Sequence, residues 1–153
     1  MKRKITTILL IALLLFIWGN SMLNQESSQA ESGAVLNFLT PIFNAIFGEN
    51  VVTMYLIRRV AHFIEYSCLG ILVTIVLGSH RKYKKPRQLF DRVFGSLSIG
   101  LLVAVIDETI QWFSGRTSSV IDVWLDFSGV LTGTFIVALI IFIYEGRPAK
   151  YKR

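Results

Sequence analysis

The sequence predicts an all-α fold of the polytopic membrane class: a four-transmembrane-helix bundle with an extra interfacial or re-entrant helix. Of the 153 residues, 53% are hydrophobic. The mean hydropathy of +0.56 is too apolar for an ordinary soluble domain. Four apolar runs are long enough to cross a bilayer, and most Lys and Arg residues lie between or beyond them. We interpret the whole chain, 1–153, as a single membrane domain.

The first predicted span covers about residues 5–23. It follows a basic start, and no charge interrupts the run from Ile5 to Trp18. A cleaved signal peptide is the alternative, because Ser28-Gln29-Ala30 resembles a small-residue cleavage site. That site lies well beyond the end of the apolar run at Trp18, so we favour a retained first helix.

The other three spans are predicted at about 52–77, 92–113 and 121–144. In the third, the apolar run from Val93 to Ile106 ends at Asp107. A helix of that length covers only about 21 Å of a hydrocarbon core that is about 30 Å thick. We therefore expect the helix to continue through Asp107 to Phe113, which places acidic side chains in the outer part of the membrane.

The segment 33–50, between the first two spans, is amphipathic. Asn37, Thr40, Pro41 and Asn44 fall on one helical face, and apolar side chains cover the others. The segment is too short to cross the bilayer, so we interpret it as an external interfacial or re-entrant helix. A packed lid segment without lipid contact is the alternative.

The distribution of basic residues predicts the orientation. The amino terminus, the 79–92 loop and the carboxyl-terminal tail hold thirteen of the sixteen Lys and Arg residues. By the positive-inside rule, both termini lie in the cytoplasm of a multi-pass protein of the cell membrane. Because topology accounts for the net charge of +6, we expect the lipid bilayer as partner and no nucleic acid.

The second span carries a polar stripe near its external end. Arg58, His62, Glu65 and Tyr66 lie within about a third of the helix circumference at 100° per residue. Structural alternatives stay open: Arg58 or Arg59 with Glu65 can form an interfacial anchor and an intramembrane salt bridge, and His62 can be a hydrogen-bonded packing residue.

The third and fourth spans carry matching stripes at the same side of the membrane. Asp107 and Gln111 are one turn apart, as are Asp122 and Asp126. Asp122 can alternatively cap the fourth helix. Carboxylates at membrane depth are costly, so pairing, protonation or a bound cation is expected. Below the stripes, small residues allow close helix packing: Ser96, Gly100 and Ala104 in the third span, and Gly129 and Gly133 in the fourth.

These stripes define the candidate site, which we expect to be a polar pocket on the extracytoplasmic side. Within it, Arg116 can hold a carboxylate or phosphate through its guanidinium. The candidate catalytic residues are His62, Glu65, Asp107 and Glu108, and the candidate substrate-binding residues are Arg58, Tyr66, Gln111, Arg116, Ser119, Asp122 and Asp126.

Three motifs in this region resemble those of the VanZ-like family of teicoplanin-resistance-type integral membrane proteins. They are RRVAHFIEY at 58–66, DETIQWF at 107–113 followed by Gly115-Arg116, and DVWLDFSG at 122–129. Where some members carry Asn in the last motif, this chain has Asp126, which adds an acid to the pocket. The resemblance implies low-level resistance to teicoplanin-type glycopeptides, which bind cell-wall precursors outside the membrane. It implies a phenotype and a site, and no particular reaction.

Three functions stay open on these grounds. A non-enzymatic protein could alter how a lipid-linked cell-wall precursor or a lipoglycopeptide is presented at the outer leaflet. An enzyme acting on a lipid head group or lipid-linked precursor could use Glu65 or Asp107 as base, with His62 as proton partner. A purely structural charge network is the third.

The cofactor is unknown, although a divalent cation held by His62, Glu65, Asp107 and Asp122 is conceivable. A transporter is disfavoured unless the protein oligomerises, because four spans without an inverted repeat give little room for alternating access.

Overall fold

The computed structural model describes residues 2–23, 33, 35–38, 40–41, 53–78 and 86–145. Four long helices account for most of them, and the described residues contain no strand. We number the helices α1 (Lys2–Ser21), α2 (Met54–Gly78), α3 (Pro86–Phe113) and α4 (Val120–Glu145). All four are long and apolar enough to cross a membrane, so the predicted helical membrane fold is confirmed.

The predicted external segment 33–50 is described only in part. Residues 33, 35–38, 40 and 41 are helical, and the Thr40 hydroxyl donates to the Leu36 carbonyl one turn earlier. Asn44, the rest of this segment and the cleavage-like sequence Ser28-Gln29-Ala30 lie outside the described residues.

Helix α3 begins at Pro86, six residues before the predicted start at 92. Proline suits a first helical position, because its fixed φ is helical and its missing N–H is not needed there. The sequence prediction counted Arg92 with the basic loop 79–92, whereas the structure has it inside the helix. Arg92 is buried within α3, and its Nε donates to the Thr74 carbonyl of α2.

The closest packing in the bundle joins α2 and α4. A Cβ at Gly129 would meet the Phe63 carbonyl oxygen, and one at Gly133 would meet the Ser67 carbonyl oxygen. The two glycines are one turn apart, so they form a groove on α4 that admits the backbone of α2. This spacing leaves no room for side chains between the two helices.

The interior of the bundle is a small apolar core with a polar layer on the cytoplasm-predicted side. Thr74, Ser96 and Thr134 each come from a different helix and are essentially inaccessible. Their hydroxyls lie 2.8 Å (Thr74–Ser96), 3.0 Å (Ser96–Thr134) and 3.3 Å (Thr74–Thr134) apart. Hydrogen bonds of this kind join helices where no water competes. Above the layer, the buried apolar residues are Ile17, Tyr66, Leu69, Val73, Val103, Ala104 and Val130.

The outer surface is apolar, whereas the interior holds charged groups. Phe94, Leu102 and Phe135 are each at least 60% exposed, whereas Asp107 and Asp126 are wholly buried. A surface this apolar matches lipid rather than water. Trp112 and Trp124 are exposed near one end of the bundle, the depth at which tryptophan is enriched in membrane proteins.

Gly133→Ala should lower the free energy of unfolding, because the added methyl group meets the Ser67 backbone and forces α2 and α4 apart. Overpacking of this kind costs about 1–3 kcal/mol. Gly19→Ala is the matched control, because its Cβ meets open space and the substitution can gain up to about 1 kcal/mol in helix propensity. Equilibrium unfolding in mixed micelles measures both, and equal values would contradict the close approach of α2 to α4.

Candidate functional site

The turn that ends α3 positions one side of the site. Gly115 has φ of +74°, a left-handed conformation that glycine adopts without strain. The N–H of Gly115 donates to the Trp112 carbonyl at 3.2 Å and the N–H of Arg116 to the Gln111 carbonyl at 3.0 Å. These two bonds make a Schellman ending, which satisfies the last carbonyls of the helix and turns the chain toward α4.

Asp107, Glu108 and Gln111 form a buried hydrogen-bonded group on the last turns of α3. The Gln111 amide nitrogen donates to Asp107 Oδ2 at 2.9 Å and to Glu108 Oε1 at 3.2 Å. The Ser21 hydroxyl of α1 lies against Asp107 Oδ1. The backbone N–H of Ser119 donates to Glu108 Oε2 at 3.3 Å. Both acids thus receive donors from two directions, which stabilises carboxylates removed from water.

Ser119 begins α4 as its N-cap. Its hydroxyl accepts from the Asp122 N–H at 3.2 Å and donates to Asp122 Oδ2 at 2.6 Å. Asp122 Oδ1 lies 3.4 Å from Arg59 Nη2 of α2. The Arg59 guanidinium also lies 4.1 Å from the centre of the Tyr55 ring, in a cation–π contact. This arrangement ties the start of α4 to the start of α2.

Asp126 lies one turn further into the bundle and has few partners. The carboxylate is wholly buried, and His62 Nδ1 approaches Oδ1 to 3.3 Å. This approach lacks hydrogen-bond alignment, and neither carboxylate oxygen accepts a hydrogen bond from the described residues. Buried carboxylates normally have several donors, so Asp126 contrasts with Asp107 and Glu108.

Arg116 faces α1. It is 7% exposed, and its Nη1 donates to the Asn20 carbonyl at 3.1 Å. A guanidinium at this position stabilises the negative, carboxyl-terminal end of the α1 dipole. Arg116 thus joins the α3–α4 connection to α1.

Of the cavities beside the acidic group, two lie on either side of Arg58 and His62, and a third, lined by Glu108 and Ser119, lies on the other face of α3. The first, of about 220 Å³, lies between α2, α3 and α4. The second, of about 190 Å³, lies between α1, α2 and Arg116, and Val35 of the external segment contributes to it. The first is lined by Tyr55, Arg58, Arg59, His62, Glu108, Gln111, Thr117, Asp122, Leu125 and Asp126.

The structure thus places the predicted site residues at one end of the bundle, but not all in one pocket. Glu65 and Arg116 line the second cavity, whereas Glu108, Gln111, Asp122 and Asp126 line the first. Tyr66 is buried and is not among the residues that line either cavity. One ligand atom from each of four residues lies within 4.8 Å of the others: His62, Asp107, Glu108 and Asp126. The sequence analysis included Glu65 and Asp122 among the residues that could hold a cation. Among the described residues, neither is a member of this group.

Sequence reasoning missed the contributions of α1 and of the α3–α4 connection. Ser21 contacts Asp107, the Asn20 carbonyl binds Arg116, and Thr117 lines the first cavity. A signal was present in Gly19-Asn20-Ser21, a triplet of small and polar residues at the end of the apolar first run. Such residues in membrane helices commonly mark contacts with neighbouring helices.

Comparison with known proteins identifies the family. The VanZ/LLP1 family model matches residues 6–142, which is most of the chain. This chain belongs to the VanZ/LLP1 family. No curated protein and no solved structure gave a significant match. Membership in VanZ/LLP1 confirms the predicted resemblance, and the match includes α1, which the three motifs did not cover.

Gln111→Leu should lower the free energy of unfolding by about 1–3 kcal/mol, because Asp107 and Glu108 lose a shared donor while they stay buried. Thr109→Val on the same helix is the control, since its exposed hydroxyl donates to the Val105 carbonyl of its own helix. Chemical unfolding in mixed micelles measures both variants. Equal losses would show that the Gln111 amide does not support the two acids.

Proposed function

We propose that this VanZ/LLP1 protein lies in the cell membrane with both termini in the cytoplasm and its polar pocket facing outward. There it contributes to low-level resistance to teicoplanin and related lipoglycopeptides, by altering the outer-leaflet envelope or the access of the antibiotic. The orientation is supported by the basic residues, of which thirteen of sixteen lie on the cytoplasm-predicted side. The family, named for this resistance, supports the phenotype.

The observation that carries the proposal is the mixed chemistry of the first cavity. The wall of this cavity contains the guanidinium groups of Arg58 and Arg59 and the apolar surfaces of Tyr55 and Leu125. Arginine binds phosphate and carboxylate bidentately. A ligand with an anionic head group and an apolar chain, such as a lipid-linked precursor or a lipoglycopeptide, matches both parts.

The aromatic residues around the cavity support the same class of ligand. Trp112 and Trp124 lie exposed at this end of the bundle, and Tyr55 is 62% exposed beside the cavity. Aromatic side chains of this kind are enriched where acyl chains meet head groups. A lipid head group in the outer leaflet would therefore reach Arg58 at its usual depth in the membrane.

A membrane enzyme that acts on a lipid head group or lipid-linked precursor is the second candidate. It is favoured by the grouping of one imidazole and three carboxylates within 4.8 Å, since such groups can exchange protons with a bound substrate. In that reading His62 and Glu108, which line the cavity, contact the substrate.

Arg58→Gln should abolish resistance while the protein stays in the membrane at its normal level, because the ligand loses a cationic contact. Lys4→Gln is the control: it removes the same charge from an exposed site at the other end of the bundle and should keep the phenotype. The measurement is the minimum inhibitory concentration of teicoplanin in a susceptible host that expresses each variant. If wild type and Arg58→Gln protect equally, the cavity has no part in resistance.

Lipid profiling separates the two candidates. The non-enzymatic function predicts identical lipid and precursor species with and without the protein, whereas the enzyme predicts a new or depleted species. His62→Gln should remove that difference if His62 takes part in proton transfer.

A further inference from the structure

We propose that His62, Asp107, Glu108 and Asp126 form a binding site for one divalent transition-metal ion, with Mn²⁺ and Zn²⁺ as its best matches. Each residue can supply one ligand atom, and the four atoms lie within 4.8 Å of one another. Ligands on opposite sides of an ion with bonds of about 2.1 Å are about 4.2 Å apart. The group is therefore close to the size of a coordination shell, and a small inward movement completes it.

Asp126 is the independent reason to place an ion there. Its carboxylate is wholly buried, and neither oxygen accepts a hydrogen bond from the described residues. The carboxylate is part of the first cavity wall beside His62 and Glu108. A buried carboxylate without donors is strongly destabilising unless a positive charge compensates it, and a bound cation supplies that compensation directly.

The separation of His62 and Asp126 also fits a shared ion. Their closest atoms, Nδ1 and Oδ1, are 3.3 Å apart without the alignment of a hydrogen bond. Neighbouring ligands on one ion, with bonds of about 2.0–2.2 Å, are separated by about 3.0–3.4 Å. The pair thus has a spacing that two ligands of one ion share, and it lacks the alignment of a donor with its acceptor.

The remaining two acids are already oriented. Asp107 is in contact with the Ser21 hydroxyl and the Gln111 amide, and Glu108 with Gln111 and the Ser119 N–H. Each of these carboxylate oxygens receives one of the four donors and has a second lone pair, which leaves lone pairs for an ion. Donors around the ligands hold them in place and raise metal affinity, and Ser21, Gln111 and Ser119 can serve in this way.

The ligand set selects the class of ion. Imidazole favours transition metals, whereas carboxylates alone also bind Mg²⁺ and Ca²⁺. One imidazole with three carboxylates therefore suits Mn²⁺ or Zn²⁺. A divalent ion neutralises two of three carboxylate charges, and Arg58 on the same cavity wall supplies a further positive charge. The cavity gives the ion a path to the site.

Titration calorimetry of the purified, EDTA-stripped protein with MnCl₂ and ZnCl₂ tests the site. The wild type should bind one equivalent, and Asp126→Asn should weaken binding by at least about tenfold. Asp91→Asn, which removes an exposed acid from the distant end of α3, should bind as the wild type does. Binding of neither ion by the wild type, or unchanged binding by Asp126→Asn, would overturn the proposal.

Electron spin-echo spectroscopy of Mn²⁺ bound to the protein tests the site without relying on the folding of Asp126→Asn. Directly coordinated His62 should produce a nitrogen modulation that persists in His80→Gln, which removes the chain's other histidine. A spectrum without nitrogen coupling would refute coordination by His62. These measurements use no antibiotic, so the metal site and the resistance proposal can fail separately.

Discussion

The structure depends on keeping ionisable side chains inside a membrane protein. A carboxylate transferred from water into an apolar interior is strongly unfavourable unless donors or positive charges surround it. Here the donors come from separate segments: Ser21 from α1, Gln111 from α3 and the Ser119 backbone from the start of α4. Satisfying the acids therefore requires three helix ends to meet. The polar group at once constrains the tertiary structure and shapes the cavities.

The rest of the bundle gives this end a rigid support. Gly129 and Gly133 bring α4 against the backbone of α2, which places Asp126 and His62 on adjoining surfaces. Deeper in the bundle, the Thr74, Ser96 and Thr134 hydroxyls join three helices. Packing without space between helices allows little relaxation, which keeps Asp126 next to His62.

Helix length and charge pattern allowed much of this to be predicted. The apolar run before Asp107 is too short to span a bilayer, which placed Asp107 inside a helix, and α3 does continue to Phe113. Helical periodicity put His62, Asp107 and Asp126 at one end. Periodicity could not assign the predicted residues to the two cavities. Glu65 and His62 are less than one helical turn apart, so the rotation of α2 decides which neighbouring helix each one faces. Ser21 was missed because its partner is 86 positions away, and tertiary contacts of that kind leave no periodic signal.

The central claim is that Asp126 is retained for binding rather than for packing, at a cost in stability, as sites built for function often are. The most direct test is the free energy of unfolding of Asp126→Asn against wild type, both in EDTA and in the same micelles. If the claim is right, the neutral amide makes the metal-free protein more stable, because a buried charge without hydrogen bonds is removed. A clear loss of stability would contradict it, and would make the His62–Asp126 contact part of a structural ion pair.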